Sequence, residues 1–198
     1  MDTLTPDCAL QSLLPRIRAL TPDSKRPALV AIDGMAASGK STLADTIRAA
    51  LGDAQVVRMD DFFLPESLRA PVRSRLLANA DIERFDQEVL TPLCAGKDAV
   101  YRPFVCHPVP GLLAPVRIPS GIRTVIIEGA YSLHPLLASR YDLRVVMTIG
   151  EQTQRSRILA RNGETMLPRF TGEWIPLENR HIQAHDLFAL CDVRIDVP

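Results

Sequence analysis

Lysine is scarce in this 198-residue chain: Lys25, Lys40 and Lys97 are the only ones, although arginine is plentiful. An excess of charge of either sign is missing too, because 23 basic and 23 acidic side chains give a formal net charge of zero at pH 7. A general electrostatic affinity for nucleic acid or an anionic membrane is therefore not expected, and any anion site has to be local. Paired cysteines are absent. Cys8, Cys94, Cys106 and Cys191 are widely separated and form no Cys-x-x-Cys, so neither a zinc site nor a disulfide framework is suggested. No apolar run is long enough to span a membrane, and the N-terminal MDTLTPDCALQSLLP has neither the basic start nor the continuous apolar core of a secretory leader. A cytoplasmic location is the default expectation. The chain also has no internal repeat, no low-complexity run and no Asn-Lys-x-Asp, the usual guanine-reading motif, which argues against a GTPase switch.

What is present begins with a hydrophobic content of 46%, enough for a substantial core in one α/β domain. Residues 31 to 42 read AIDGMAASGKST, which is Gly-x-x-x-x-Gly-Lys-Ser preceded by the apolar run ALVAI and followed by the helix-compatible STLADTIRAAL. Glycines at 34 and 39 let a loop fold tightly and turn main-chain N–H groups onto a phosphate chain, with the next helix aiming its positive end at the same place. Gly34, Ala36, Ala37, Ser38, Gly39, Lys40, Ser41 and Thr42 are the predicted nucleotide cradle. Lys40, as an exposed loop cation, is expected to reach the outer phosphates of ATP, and the Ser41 hydroxyl to ligate Mg²⁺.

Around this motif, strands and helices alternate. Leu10, Leu13, Leu14, Ile17 and Leu20 predict a leading helix over 6–20, with a kink at Pro15. Strands are predicted at 28–33, 54–59, 124–129, 143–149 and in the terminal CDVRIDV, with helices over 40–51, 81–94 and 151–162. The segment 64–80, with two prolines and clustered arginines, reads as a mobile excursion rather than a core element, and 98–120 as a short antiparallel flap. This order predicts a doubly wound parallel sheet, whose ligand crevice lies at the carboxyl ends of the strands, where Gly34, Asp60 and Glu128 fall.

With AIDGMAASGKST, MDDFF, ERFDQEVLTPL, YRPFVCH and VIIEG in that order, the chain resembles the uridine kinase and phosphoribulokinase branch of P-loop kinases, from about Ala28 to Asp196. The resemblance implies a three-layer P-loop nucleoside-triphosphate hydrolase fold in a single domain over 1–198. That domain would comprise a leading helix within 1–26, an acceptor-binding insertion and flap over 64–120 and a lid over 151–172. It also implies a phosphotransferase that uses ATP and Mg²⁺ on the hydroxyl of a small-molecule acceptor. Asp60 in MDDFF matches the family's base for the sugar hydroxyl, with a turn-capping or water-holding role for Asp60 or Asp61 as the alternative. Glu128 would sit near Mg²⁺, through water, unless it caps a turn.

Arg157 and Arg161, four apart on one helix face, and Arg169 after a predicted hinge are candidate lid arginines, with Arg155 as a further choice and Arg169 also a candidate for binding the acceptor; a solvated helix face is the alternative. Phe63, Tyr101, Phe104 and His107 resemble residues around the acceptor base, where flat rings stack and histidine hydrogen-bonds an edge; packing under the flap is the other reading of each ring. The YRPFVCH spacing is one residue longer than in uridine kinases, and 64–84 lacks their Asp-His-Pro segment. Trp174, with Pro176 and Glu178 in FTGEWIPLENRH, resembles the C-terminal portion of uridine-kinase-like proteins, and Trp174 is expected to anchor a helix without taking part in chemistry. The acceptor stays open between a nucleoside, another riboside, pantothenate and a sugar phosphate. A non-catalytic nucleotide-binding regulator and the oligomeric state stay open as well.

Overall fold

The structure is a computed structural model describing residues 2–21, 25–76, 78–105 and 110–198; for residues 71 and 73–76 it describes the backbone alone. In chain order the strands are β1 (Asp2–Leu4), β2 (Ala28–Gly34), β3 (Ala54–Arg58), β4 (Ala99–Tyr101), β5 (Phe104–Val105), β6 (Gly111–Leu112), β7 (Val116–Ile118), β8 (Thr124–Glu128), β9 (Leu143–Ile149) and β10 (Val193–Val197). Six of them form one parallel sheet in the order β1-β10-β9-β2-β8-β3.

The strand sequences explain their positions. Every residue of β2 and β8 is buried, as the unbroken apolar text of ALVAI and TVII requires of strands covered on both faces. Successive side chains go to opposite faces. Leu29 and Ala31 join Val57, Val125 and Ile127 in one core with Phe85, Val89 and Leu93, whereas Val30 and Ile32 join Ile126, Val145 and Met147 in another with Leu13, Ile17, Ala44 and Ile47. The first core lies under the helical run 82–94, the second under the helices Pro6–Ala19 and Lys40–Leu51. β10 alternates instead, with Val193, Ile195 and Val197 inward.

Two helical runs widen into a π turn just before a proline. Thr91 N–H reaches Asp86 O ahead of Pro92, and Ile175 N–H reaches Phe170 O ahead of Pro176. Each proline lacks the N–H that a regular turn would use, and the wider turn accommodates the missing bond. The second π turn, Phe170–Trp174, leads directly into the helix Ile175–Ala184, which carries Glu178.

The flap over 98–120 is antiparallel, as expected, in two ribbons that pair β4 with β7 and β5 with β6. The reading of 64–80 as a non-core excursion needs correction. Residues Glu66–Leu76 form a helix, and Leu64, Ala78 and Ala80 are buried. The cause is tertiary: Leu64 N–H bonds Asn79 O at 3.1 Å and Asp81 N–H bonds Phe62 O at 2.7 Å, so the ends of the segment are pinned side by side whatever the prolines favour locally. Two smaller differences occur nearby. β3 stops at Arg58, and Met59–Phe62 turns as a 3₁₀ helix; at the sheet edge, β1 adds three residues too few to show a pattern in sequence.

Candidate active site

Between β2 and the helix Lys40–Leu51 the chain makes the expected tight loop. Gly34 has a φ of 133°, and a Cβ there would lie 2.0 Å from the carbonyl oxygen of Met147 on β9, so only glycine fits. Ala37, at φ 59°, is left-handed without being glycine, a strained conformation of the kind that clusters at ligand-binding loops. Lys40 is not the exposed cation that the motif suggests: it is 9% exposed and its Nζ donates to Gly34 O at 2.8 Å and to Met35 O at 2.9 Å, which folds it back over the loop. Ser38 Oγ is buried there with no hydrogen-bond partner among the described residues, a donor suited to a phosphate oxygen.

The loop opens into a cavity of about 1240 Å³, large enough for a nucleotide and a second small molecule together. Ala36 to Thr42 line one end, and Asp60 and Glu128, from the carboxyl ends of β3 and β8, line the middle. Asp60 opens to the cavity yet is ringed by protein atoms. That burial pushes its carboxyl above the ordinary value, helped by the negative charge of Glu128, while Lys40 pulls it back. Asp61 turns elsewhere. Its Oδ2 accepts the Tyr101 hydroxyl at 3.1 Å, and its pKa is also raised, chiefly by burial. Glu128, 4% exposed, accepts from Arg58 Nη1 at 2.6 Å, and Arg58 Nη2 holds both oxygens of Asp45 at 2.9 to 3.0 Å.

The helix Glu151–Asn162 brings Arg157 and Arg161 to the cavity, and Arg169 joins them from beyond Gly163. Arg157 Nη1 donates to Ala37 O at 3.1 Å, and the Arg161 guanidinium stands 5.9 Å from the Phe170 ring centre. Arg169 lies over Trp174 at 5.2 Å and reaches Glu66 at 3.0 Å. Arg155 faces a separate, small cavity with Glu151 and Gln154, and so drops out of the lid candidates. Replacing Arg157 or Arg161 by Ala is expected to lower kcat on the order of a hundredfold, with a smaller loss of ATP affinity, because the γ-phosphoryl charge is greatest in transfer. Steady-state kinetics with Arg155→Ala as the reference tests this, and unchanged kinetics in both variants would remove the lid arginines from the mechanism.

Toward the flap the cavity is lined by Phe63, Phe104, Arg69 and Asn79, while Trp174 lines it from the cluster that holds Ala36 and Phe170. Tyr101 is not with them: at 3% exposure, with its ring 5.1 Å from Phe62, it belongs to the core and cannot stack on a ligand. His107 lies outside the described residues. Trp174 packs edge-on against Phe170 at 4.5 Å, the expected anchor, and also faces the cavity.

Sequence reasoning missed several residues here. Arg69 and Asn79, 8% and 6% exposed, sit in the segment read as outside the core. Asp33, 1% exposed, accepts Gly34 N–H at 2.6 Å and Leu133 N–H at 2.8 Å, which ties the loop to the turn after β8; His181 Nε2 is 3.5 Å from it. Glu178 Oε2 accepts Ala36 N–H at 2.7 Å, across 142 positions of sequence. An acid two residues after Pro176 was the available signal, and nothing local linked it to the loop.

Ser41, in the first helical turn, and Glu128 both line the cavity beside the phosphate loop, a hard-oxygen pair that fits Mg²⁺. Among the described residues no three His, Cys, Asp or Glu side chains gather to hold a metal, so such an ion would keep water and phosphate as most of its ligands. No helix of the described residues is long and apolar enough to cross a membrane.

The parallel sheet, the glycine loop at the end of β2 and the acids at the ends of its neighbours define a P-loop kinase fold. Among solved structures, a candidate fructose transport system kinase from Silicibacter sp. TM1040 is 26% identical, with a TM-score of 0.74, over 96% of this chain and 98% of that one. A possible uridine kinase from Bacillus stearothermophilus is 17% identical with a TM-score of 0.71, over 94% and 97%. Phosphoribulokinase from Rhodobacter spheroides is 15% identical with a TM-score of 0.60, over 88% and 71%. The resemblance to the uridine kinase and phosphoribulokinase branch is thus borne out in the fold. No protein-family model matches the chain, and no curated protein does.

Proposed function

We propose that this protein is a small-molecule kinase that transfers the γ-phosphoryl group of ATP to a hydroxyl, with the 5′-OH of uridine or another nucleoside as the leading acceptor. The observation that carries the reading is the convergence of Lys40, Asp60, Glu128, Arg157 and Arg161 on one cavity that begins at the phosphate loop. In this mechanism the loop and Lys40 hold the β- and γ-phosphates, and the carboxylate of Asp60 orients the acceptor hydroxyl. As the acceptor oxygen bonds to the γ-phosphorus, the bond from that phosphorus to the β,γ-bridging oxygen breaks, ADP leaves and Asp60 takes the hydroxyl proton. Ser41 and Glu128, with water, would hold Mg²⁺, which would neutralise phosphate charge when bound. Arg157 and Arg161 stabilise the charge spread over the γ-oxygens in transfer. Single-domain organisation, with residues 151–172 as a closing lid, belongs to the same proposal.

A second acceptor class has its own support. Arg69 and Arg169 stand on the acceptor wall with Glu66 between them, at 3.8 and 3.0 Å, which favours an alcohol that carries a phosphate or carboxylate. ADP release with ATP and Mg²⁺ across nucleosides, free sugars, sugar phosphates, pantothenate and glycerate tests both. A preference for nucleosides supports the first, turnover confined to anionic alcohols replaces it with the second, and ATP binding without turnover on any of them leaves a nucleotide-binding regulator.

A further inference from the structure

Near the phosphate loop lies an acid for which phosphoryl transfer has no use. Glu178, on the helix Ile175–Ala184, reaches into the cavity and caps Ala36 N–H at 2.7 Å, inside a loop built to receive a polyanion. Lys40 is the cation that faces it from the phosphate-loop helix, while Asp33 at the end of β2 and Asp60 beyond β3 are the facing anions. The helix Glu151–Asn162 contributes neutral Gln154, which donates to Ala36 O at 3.0 Å, and Arg157, which donates to Ala37 O. On its own helix, His181 follows one turn later, directed at Asp33.

Charge at this point has opposite effects on the two things the loop must do. A carboxyl oxygen accepts the Ala36 N–H whether or not the group is protonated, so the loop stays held in both forms. Once ionised, however, the group places a negative charge in a low-dielectric cradle and competes with a triphosphate for Lys40.

We propose that Glu178 is a positioning residue that holds the phosphate loop through Ala36 and sets, by its own charge state, how tightly the loop takes a triphosphate. The inference rests on the ATP reading above and deepens it. Burial raises the Glu178 carboxyl to about 7, against the opposing pull of Lys40 and the Ala36 N–H, so the change of charge falls near neutrality. ATP affinity then declines as the pH rises through that value.

The test uses the full chain as wild type, Glu178→Gln and Glu178→Ala. Calorimetric titration with ATP and Mg²⁺ at about pH 6 and about pH 8 brackets the transition. Ionisation of ATP itself affects all three proteins alike, so the ratio of wild-type to Gln affinity isolates Glu178. That ratio is expected to fall about tenfold between the two pH values, the scale of one charge near the phosphates. Glu178→Ala, which removes the Ala36 acceptor, should bind more weakly than Glu178→Gln at both. A flat ratio overturns the charge role, and equal affinities of the Ala and Gln variants overturn the positioning role.

A second measurement needs no nucleotide. Because the folded carboxyl is harder to ionise than the unfolded one, its stability contribution is fully present below about pH 4.5 and is lost as the pH rises through about 7. The thermal midpoint of Glu178→Gln relative to wild type should therefore climb over that window and level off above it. A level difference overturns the proposal whatever ATP does. A climbing difference in proteins that do not bind ATP overturns the triphosphate role together with the kinase reading, and so separates the two failures.

Discussion

Asp60→Asn should still bind both substrates and should lose turnover by about a hundredfold or more, the scale of a positioned general base. Asn keeps the size and can accept a hydrogen bond, but it cannot take the proton that the acceptor hydroxyl releases. Asp61→Asn is the comparison. Because Met59–Phe62 is a 3₁₀ turn, no strand pleat sends the two acids to opposite faces. The separation survives for another reason: Asp61 is engaged by the Tyr101 hydroxyl away from the cavity, while Asp60 lines it. Its replacement should cost little turnover and some stability. The pH profile of kcat gives an independent reading. A base works when ionised, and burial together with Glu128 raises the Asp60 carboxyl. Activity should then fall on the acid side at a higher pH than an unshifted aspartate would set, and this limb should vanish in Asp60→Asn. Loss confined to Asp61→Asn would move the base by one residue, and small, equal losses in both would leave catalysis to positioning and Mg²⁺.

Lys40→Ala should abolish measurable transfer and weaken ATP binding, with the fold retained. Nζ lies among the loop carbonyls of Gly34 and Met35, ready to exchange them for phosphate oxygens, and removing such a charge from a preorganised site costs about a hundredfold to a thousandfold or more. Lys40 belongs to neither large hydrophobic core, so the far-ultraviolet circular dichroism should be unchanged and the unfolding midpoint should move only by the loss of two loop hydrogen bonds. Turnover near wild type would sink the phosphate-loop assignment, and a protein that fails to fold would show instead that Lys40 serves the loop more than the ligand.

Much of the fold was legible because its signals are local. Continuous apolar runs marked β2, β8 and β9, Gly52 ended the helix that begins at Lys40, and Phe85, Val89 and Leu93 fell at helical spacing on a face that is indeed buried. The phosphate loop was legible for the same reason, since its chemistry is compressed into eight consecutive residues. The segment 64–80 was misread because prolines report local preference, while the Leu64–Asn79 and Phe62–Asp81 backbone bonds that hold it depend on neighbours far along the chain.

The sequence by itself determined the parallel α/β architecture, the loop with Lys40 and Ser41, and the set of acids and arginines to consider, because spacing over a few residues dictates strands, turns and helix faces. Which of those residues meet was decided by the tertiary structure alone. The 3₁₀ turn after β3 set Asp60 on the cavity and Asp61 against the Tyr101 hydroxyl, packing against Phe62 drew Tyr101 into the core, and the return of the helix Ile175–Ala184 set Glu178 on Ala36. Contacts of this kind depend on strand order and on which surfaces are buried together, and a one-dimensional pattern carries no record of either.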